Sequence, residues 1–333
     1  MRRIELVEPG GLENLFCIEQ DTPSPGEGEV LVRWHASSLN YHDYLVASGA
    51  WPVADGRCPL SDGAGEIVAM GAGVSHWQLG DRVMALFFPQ WLEGSASAET
   101  MADFAGDTVD GYATEFSCLS ADSVSRIPRG YSFAEAATLP CAGLTAWRAL
   151  IEECHFEAGD SVLIQGTGNV SLFALLFAKA MGGETYCTSS SDAKLEQIKT
   201  LGADHLLNYQ SNPNWGTEIH RASNGGVDHV LDVGGSSTLK ESLEAAKVAG
   251  HIALIGGLGG FDAELSLFQV FIKQLRLSGM AVGNLVMQEQ MVDFIDAHGL
   301  KPIIAREFEL ANLADAFRYQ EAGDHLGKIV VTY

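Results

Sequence analysis

Positive charge is scarce in this sequence: Lys and Arg number 20 against 43 Asp and Glu, a formal net charge of −23 over 333 residues. That balance argues against the broad basic faces that grip nucleic acid or anionic lipid, so neither is expected as a partner. Runs of membrane-spanning length are missing as well. The opening Met1-Arg2-Arg3-Ile4-Glu5 has no apolar stretch behind its basic pair, so no secretory signal is expected. The six cysteines (Cys17, Cys58, Cys118, Cys141, Cys154, Cys187) never fall in close pairs, which removes a disulfide framework and leaves reduced thiols. A cytoplasmic chain is the expectation.

What is present is apolar residue, 47% of the chain, enough for large cores and, at this length, for two domains. The most informative stretch is Asp160 to Ser171. Val162, Leu163 and Ile164 read as a buried parallel strand, Gly166 and Gly168 as a tight turn, and Leu172 to Ala180 as a helix. A diphosphate would sit at that helix's N-terminus, against Gly166, Thr167, Gly168, Asn169 and Val170. Further strands at Glu184–Thr188, His205–Tyr209, Val227–Val233 and His251–Ile255, with a helix at Ala193–Leu201, predict a doubly wound parallel sheet.

Before this stretch the sequence changes character. Short β-rich runs, Val30–Trp34, Gly65–Met70 and Arg82–Leu86, are broken by Pro23, Pro25 and many glycines, as in an irregular β-domain. Trp91 to Gly111 is a long polar connection, either a loop over a cleft or a mobile excursion. After the sheet, Leu275–Ala281 reads as a strand, Met287–His298 and Leu313–Ala322 as helices, and Lys328–Thr332 as a last strand returning to the first domain. The expected division is 1–142, 143–284 and 285–333, the outer two forming one discontinuous domain. The substrate and cofactor cleft is expected between the two domains.

Several segments in order resemble the medium-chain dehydrogenase/reductase superfamily, and in particular its zinc-free quinone oxidoreductase and alcohol dehydrogenase-like branch. They are Pro25-Gly26-Glu27-Gly28-Glu29-Val30, Ser38-Leu39-Asn40-Tyr41-His42-Asp43-Tyr44, Asp62-Gly63-Ala64-Gly65-Glu66, Leu79-Gly80-Asp81-Arg82-Val83, Gly111-Tyr112-Ala113, Ala142-Gly143-Leu144-Thr145-Ala146, the Gly166 turn, Leu201-Gly202-Ala203-Asp204 and Gly327-Lys328-Ile329-Val330. The resemblance covers nearly the whole chain. It implies an α/β fold in which a Rossmann doubly wound parallel sheet accompanies a discontinuous GroES-like β-rich catalytic domain, and a dimer or tetramer as the assembly, of which the homodimer is expected.

The departures from that family bear on its metal. Where zinc relatives carry a cysteine this chain has Asn40, and where they carry His-Glu it has Ser61 and Asp62; Cys141 alone resembles a ligand position. A catalytic zinc needs three protein ligands, and a structural zinc about four close cysteines, of which 85–117 holds none. No zinc is therefore expected, a rescue by Cys58, Asp62 and His42 around Cys141 being the counter-case.

The second strand of the sheet ends in Thr188-Ser189-Ser190-Ser191, with no carboxylate at its tip to take a ribose hydroxyl. NADP(H) is therefore preferred and NAD(H) kept open, since Asp192 weakens the local positive field. By resemblance, Ser189, Ser190, Lys194 and Tyr209 border the adenosine phosphate. Thr145, Gly256, Gly257 and Leu258 border the nicotinamide, and Lys328 points toward the cofactor. The implied activity is hydride transfer from NADPH to a small molecule, a quinone or α,β-unsaturated carbonyl, without zinc. In that scheme the Asn40 amide holds the developing enolate oxygen, Tyr44 or water returns the proton, and Asp43 lies near the active site. A zinc-type alcohol or aldehyde dehydrogenase-like enzyme, and a catalytically silent NADP(H)-binding sensor, are the alternatives.

Overall fold

The computed structural model describes residues 1–333. The chain divides into two compact units, Met1–Leu144 with Val282–Tyr333, and Thr145–Ala281. In the first unit, β1 (Arg2–Leu6) and β2 (Leu15–Glu19) form an antiparallel pair. Then follow β3 (Glu29–Ser38), α1 (Tyr41–Ala47), β4 (Ala64–Met70), β5 (Arg82–Ala85), β6 (Phe116–Ser120), β7 (Val124–Arg126) and α2 (Phe133–Ala136). A short helix α3 (Leu144–Arg148) straddles the division.

The second unit alternates strand and helix: β8 (Ser161–Ile164), α4 (Asn169–Ala180), β9 (Glu184–Ser189), α5 (Asp192–Thr200), β10 (His205–Asn208), α6 (Trp215–Ala222), β11 (Val227–Asp232), α7 (Leu239–Ala245), β12 (Ala246–Leu254), α8 (Leu267–Ile272) and β13 (Arg276–Gly279). The chain then returns to the first unit through α9 (Leu285–His298), β14 (Ile304–Glu309), α10 (Leu313–Ala322) and β15 (Lys328–Thr332).

The strands of the second unit form a six-stranded sheet in the order β10-β9-β8-β11-β12-β13, every pairing parallel. This is the doubly wound order, whose reversal between β8 and β9 on one side and β11 on the other opens a crevice at the strands' carboxyl ends. Sequence explains the layer: all four residues of β8 are buried, as a central parallel strand with helices on both faces requires. Helix α4 buries Leu172, Phe173, Ala174, Leu175, Phe177 and Ala178, and so is apolar nearly all round. Gly216 of α6 lets that helix approach α7 closely, since a Cβ there would stand 2.2 Å from the carbonyl oxygen of Glu241.

The first unit is built on a seven-stranded sheet, β14-β15-β3-β4-β5-β7 with β6 also paired to β3. β15 lies parallel to β14 and antiparallel to β3. One core of this unit gathers Ile4, Leu39, Leu60, Ala113, Leu313, Phe317, Ile329 and Val331, and another Val30, Val32, Trp34, Ile67 and Val83. The polar connection beginning at Trp91 is anchored: Leu285 N donates to Trp91 O, Val286 N to Leu92 O, and Asn284 Nδ2 to Gly94 O. No helix is long and apolar enough to cross a membrane.

Candidate functional site

In the second unit the Gly166 turn leads from β8 into α4. Gly166 has φ +70°, a left-handed conformation natural to glycine, and Gly168 caps the helix N-terminus. A Cβ built on either glycine would meet no atom within 4 Å, so the space beside both is open. Thr167, Asn169 and Val170 are half-buried beside it. Ser171, at the third glycine position of the fingerprint, is buried and donates from Oγ to Gln165 O at 2.7 Å, tying the helix start to the strand end. The orphan amides and macrodipole of α4 suit a diphosphate at this turn.

Around the turn, the ends of β9 and β10 bring the adenosine candidates together. Ser189 is buried and its carbonyl accepts from Tyr209 N at 3.1 Å, while Ser190 is exposed. Ser191 caps α5 by accepting from Lys194 N. The Asp192 carboxylate takes the amide of Asn208 at 2.6 Å. Gly256, Gly257 and Leu258 follow β12 in a loop held to the neighbouring turn, with Leu258 N donating to Val233 O and Gly259 N to Gly234 O. Thr145 is buried on α3.

Sequence reasoning missed the buried support of that second turn. Asp232 at the end of β11 accepts from Gly234 N, Gly235 N and Thr238 Oγ1 on one oxygen and from Ser242 Oγ on the other; Ser242 in turn accepts from Gln165 Nε2. The signal was available: a carboxylate closing an apolar strand and followed by Gly234-Gly235-Ser236 needs donors from the turn it initiates.

In the first unit the register of β15 against β3 sets Lys328 beside Asn40. Lys328 is 1% exposed and donates to Leu39 O (2.9 Å), Asn40 Oδ1 (2.6 Å) and Asp62 Oδ2 (3.2 Å). Asn40 Nδ2 donates to Ser61 Oγ (3.0 Å) and Asp62 Oδ2 (2.9 Å), and Ser38 Oγ donates to the same Asp62 oxygen. The Lys328 and Asn40 side chains are both held within this unit. The Lys328 ammonium, read as directed toward the cofactor, has three acceptors within its own unit, because a buried charge must be paired and hydrogen-bonded. The Asn40 amide, read as the holder of an enolate oxygen, has both hydrogens committed.

Asn40 also caps α1. Asp43 Oδ2 accepts from Asn40 N and its Oδ1 from Ser61 N, both at 2.9 Å. Burial, with the nearby Asp62 adding to it, pushes the Asp43 carboxyl up to about 6. Asp43 thus braces the loop that presents Ser61, next to Leu60 in a left-handed conformation (φ 76°). Tyr44 faces another way: its hydroxyl donates to Glu321 Oε1 at 2.7 Å, on α10, which raises its pKa. The structure therefore joins Asn40, Asp43 and Lys328 but sends the Tyr44 hydroxyl to a different partner, because α1 turns successive residues to different faces. His42 Nε2 stands 3.1 Å from Asp107 Oδ2. Cys58 is fully buried, with burial pushing its thiol up to about 12, and Cys141 is half-buried on the turn Leu139–Gly143.

Residues 26–129 match the alcohol dehydrogenase GroES-like domain and residues 170–297 the zinc-binding dehydrogenase family. The chain is 36% identical to a zinc-type alcohol dehydrogenase-like protein of Schizosaccharomyces pombe, over 99% of each chain. A solved Sinorhizobium meliloti 1021 protein described as an alcohol dehydrogenase superposes with TM-score 0.93 at 35% identity, covering 100% of this chain and 99% of that one. A solved NAD-dependent alcohol dehydrogenase superposes with TM-score 0.91 at 29% identity, over 100% of both. With its glycine turn, its doubly wound sheet and these relatives, the chain belongs to the medium-chain dehydrogenase/reductase superfamily, as an NAD(P)-dependent oxidoreductase.

Proposed function

We propose that this oxidoreductase uses NADPH to reduce a quinone or an α,β-unsaturated carbonyl, and that no zinc takes part. The observation carrying this reading is the Asn40-Ser61-Asp62-Lys328 network. At the positions resembling those where zinc relatives carry ligands stand an amide, a hydroxyl and a carboxylate, the last already neutralised by an ammonium at 3.2 Å. Lys328, Asn40 and Ser38 all bond one oxygen of Asp62, and although its other oxygen is buried without a hydrogen-bond partner, that is a single carboxylate ligand where a catalytic zinc needs three, and neither the amide nor the hydroxyl is a customary zinc donor. Cys58, His42 and Asp62 go to separate partners, which argues against the rescue set.

Without a Lewis acid, hydride transfer favours acceptors that are already electrophilic, as conjugated carbonyls and quinones are. The nicotinamide supplies the hydride. This chain's own residues orient: the glycine turn receives the diphosphate, and Asn40 is a positioning residue that fixes α1 and Ser61, with water returning the proton. Serines at the end of β9, Lys194 in the first turn of α5, and an Asp192 carboxylate tied to Asn208 support the 2′-phosphate of NADP(H). Lys194→Ala is expected to weaken NADPH binding about tenfold and leave NADH binding nearly unchanged, read by fluorescence titration.

The deciding experiment measures oxidation of NADPH and NADH against quinones, enones, aldehydes and alcohols, with and without a chelator. NADPH-dependent, chelator-insensitive turnover of the first two classes supports the reading; chelator-sensitive alcohol oxidation overturns it in favour of the chemistry that the relatives' names carry. NADPH binding with no turnover on any class would favour a silent sensor. We also propose a homodimer formed through β13, the edge strand of its sheet, which light scattering on the eluted protein tests.

A further inference from the structure

We propose that Cys154, His229 and His251 form a buried site, separate from the Asn40 network, for a thiophilic d10 cation, Zn2+ or Cu+. The three side chains lie in the second unit, and one ligand atom from each falls within 4.8 Å of the others. Their exposures are 2%, 7% and 3%. His229 of β11 and His251 of β12 are direct register partners on adjacent parallel strands, and Cys154 follows the helical turn Ala149–Glu153.

The ring nitrogens are arranged as ligating histidines require. His229 Nε2 stands 3.1 Å from Asp160 Oδ2 and His251 Nε2 2.8 Å from Ser278 Oγ, outer partners that fix ring orientation and tautomer. Of the remaining nitrogens, His251 Nδ1 is 3.3 Å from Cys154 Sγ, while His229 Nδ1 is buried with no hydrogen-bond partner. A buried nitrogen without a partner is costly, and a cation would supply one. Nothing in the hydride chemistry uses these residues.

Protonation agrees with the geometry. Burial disfavours the charged form of both rings, His251 being pushed down to about 4 with Arg276 contributing and His229 lowered despite Asp160. Neutral imidazole is the ligating form. The Cys154 thiol is pushed up to about 12 by burial, so the cation must displace its proton to solvent, and Arg276 favours the thiolate while Glu153 and Asp160 oppose it. Zinc-to-nitrogen and zinc-to-sulfur bonds of about 2.0 and 2.3 Å require donors roughly 3.5 Å apart, a spacing the Cys154–His251 pair at 3.3 Å already meets, so only the wider separations, up to 4.8 Å, have to close, by about an ångström at most. Zn2+ would add a fourth ligand, whereas Cu+ is content with three.

The test uses the full chain, stripped by chelator and then given one equivalent of Zn2+, or of Cu+ under ascorbate, before desalting and elemental analysis. Co2+ serves as a spectroscopic probe through its near-ultraviolet thiolate-to-metal band. The expected result is about one retained cation per chain, the cobalt band, and a raised Tm. Retention should fall at least tenfold in Cys154→Ser and His229→Gln and be unchanged in Cys141→Ser. If Cys154→Ser does not fold, His229→Gln alone decides. No retention by the unaltered chain, or retention lost in Cys141→Ser but kept in His229→Gln, overturns the proposal. Which cation is retained separates Zn2+ from Cu+. These readouts do not involve hydride transfer, so this proposal and the proposed activity fail independently.

Discussion

At the scale of single residues, the group with most at stake is the Lys328 ammonium, because Asp62, at 0% exposed, has no other cation beside it. Lys328→Met is expected to cost about 3–5 kcal/mol by leaving a buried carboxylate unpaired, and Lys328→Met with Asp62→Asn to recover much of it. Urea unfolding of the three proteins checks this; equal losses in the single and double variants would show that the pair is not coupled. Asp43 gives a pH dependence. Its folded pKa, about 6, lies above the ordinary value of 3.8, so the fold holds a proton that the unfolded chain releases. Its contribution to stability is therefore fullest below pH 4 and declines as pH rises toward 6. The stability difference between the unaltered protein and Asp43→Asn should shrink over that window, and parallel pH profiles would count against it. Asn40, Asp43 and Lys328 were visible in the sequence as residue types at suggestive places. Their partners were not, because hydrogen bonds from Asn40 to Asp62 and from Lys328 to Leu39 join segments far apart in sequence.

At the scale of elements, the glycine turn makes the sharpest prediction. Gly166→Ala must hold a left-handed conformation, a strain of about 1–2 kcal/mol, and it puts a methyl group into the open side of the turn. NADPH affinity should drop at least tenfold, measured by fluorescence titration, with a smaller change in urea midpoint; a variant that binds as tightly as its parent removes the diphosphate from this turn. Strands β8 to β11 were legible because each is a short run with apolar, β-branched or aromatic residues bounded by Gly, Asp, Asn or Ser. Helices α6 and α7 were not. Gly216 stands near the start of α6 and lowers its apparent propensity, although it is what permits close packing on α7. Helix α7 runs into β12 from Ala245 to Ala246 with no turn residue between, so β12 begins well before His251, where periodicity would start it. The helix at α9 was legible as amphipathic, and its start at Asn284, which accepts from Met287 N, is a side-chain cap.

At the scale of the whole molecule, a net charge of −23 means that the folded chain repels itself over distances that salt can screen. Raising sodium chloride from about 0.02 M to about 0.5 M, where the screening length shrinks several-fold, should therefore raise Tm. A flat or falling Tm would mean that the acids are compensated locally by pairs such as Lys179–Asp204 and Arg126–Asp296. The fold class was readable because alternation of strand and helix survives at this scale even where single boundaries slip.

The discontinuity of the first unit has a consequence for synthesis. Thr145–Ala281 is one uninterrupted stretch and can fold once it clears the ribosome, whereas β3 must wait for β15 and Asp62 for its ammonium until the closing strand has been translated. During that interval the nascent polypeptide carries an open sheet edge and an uncompensated carboxylate, an opening in which chaperones would find their client.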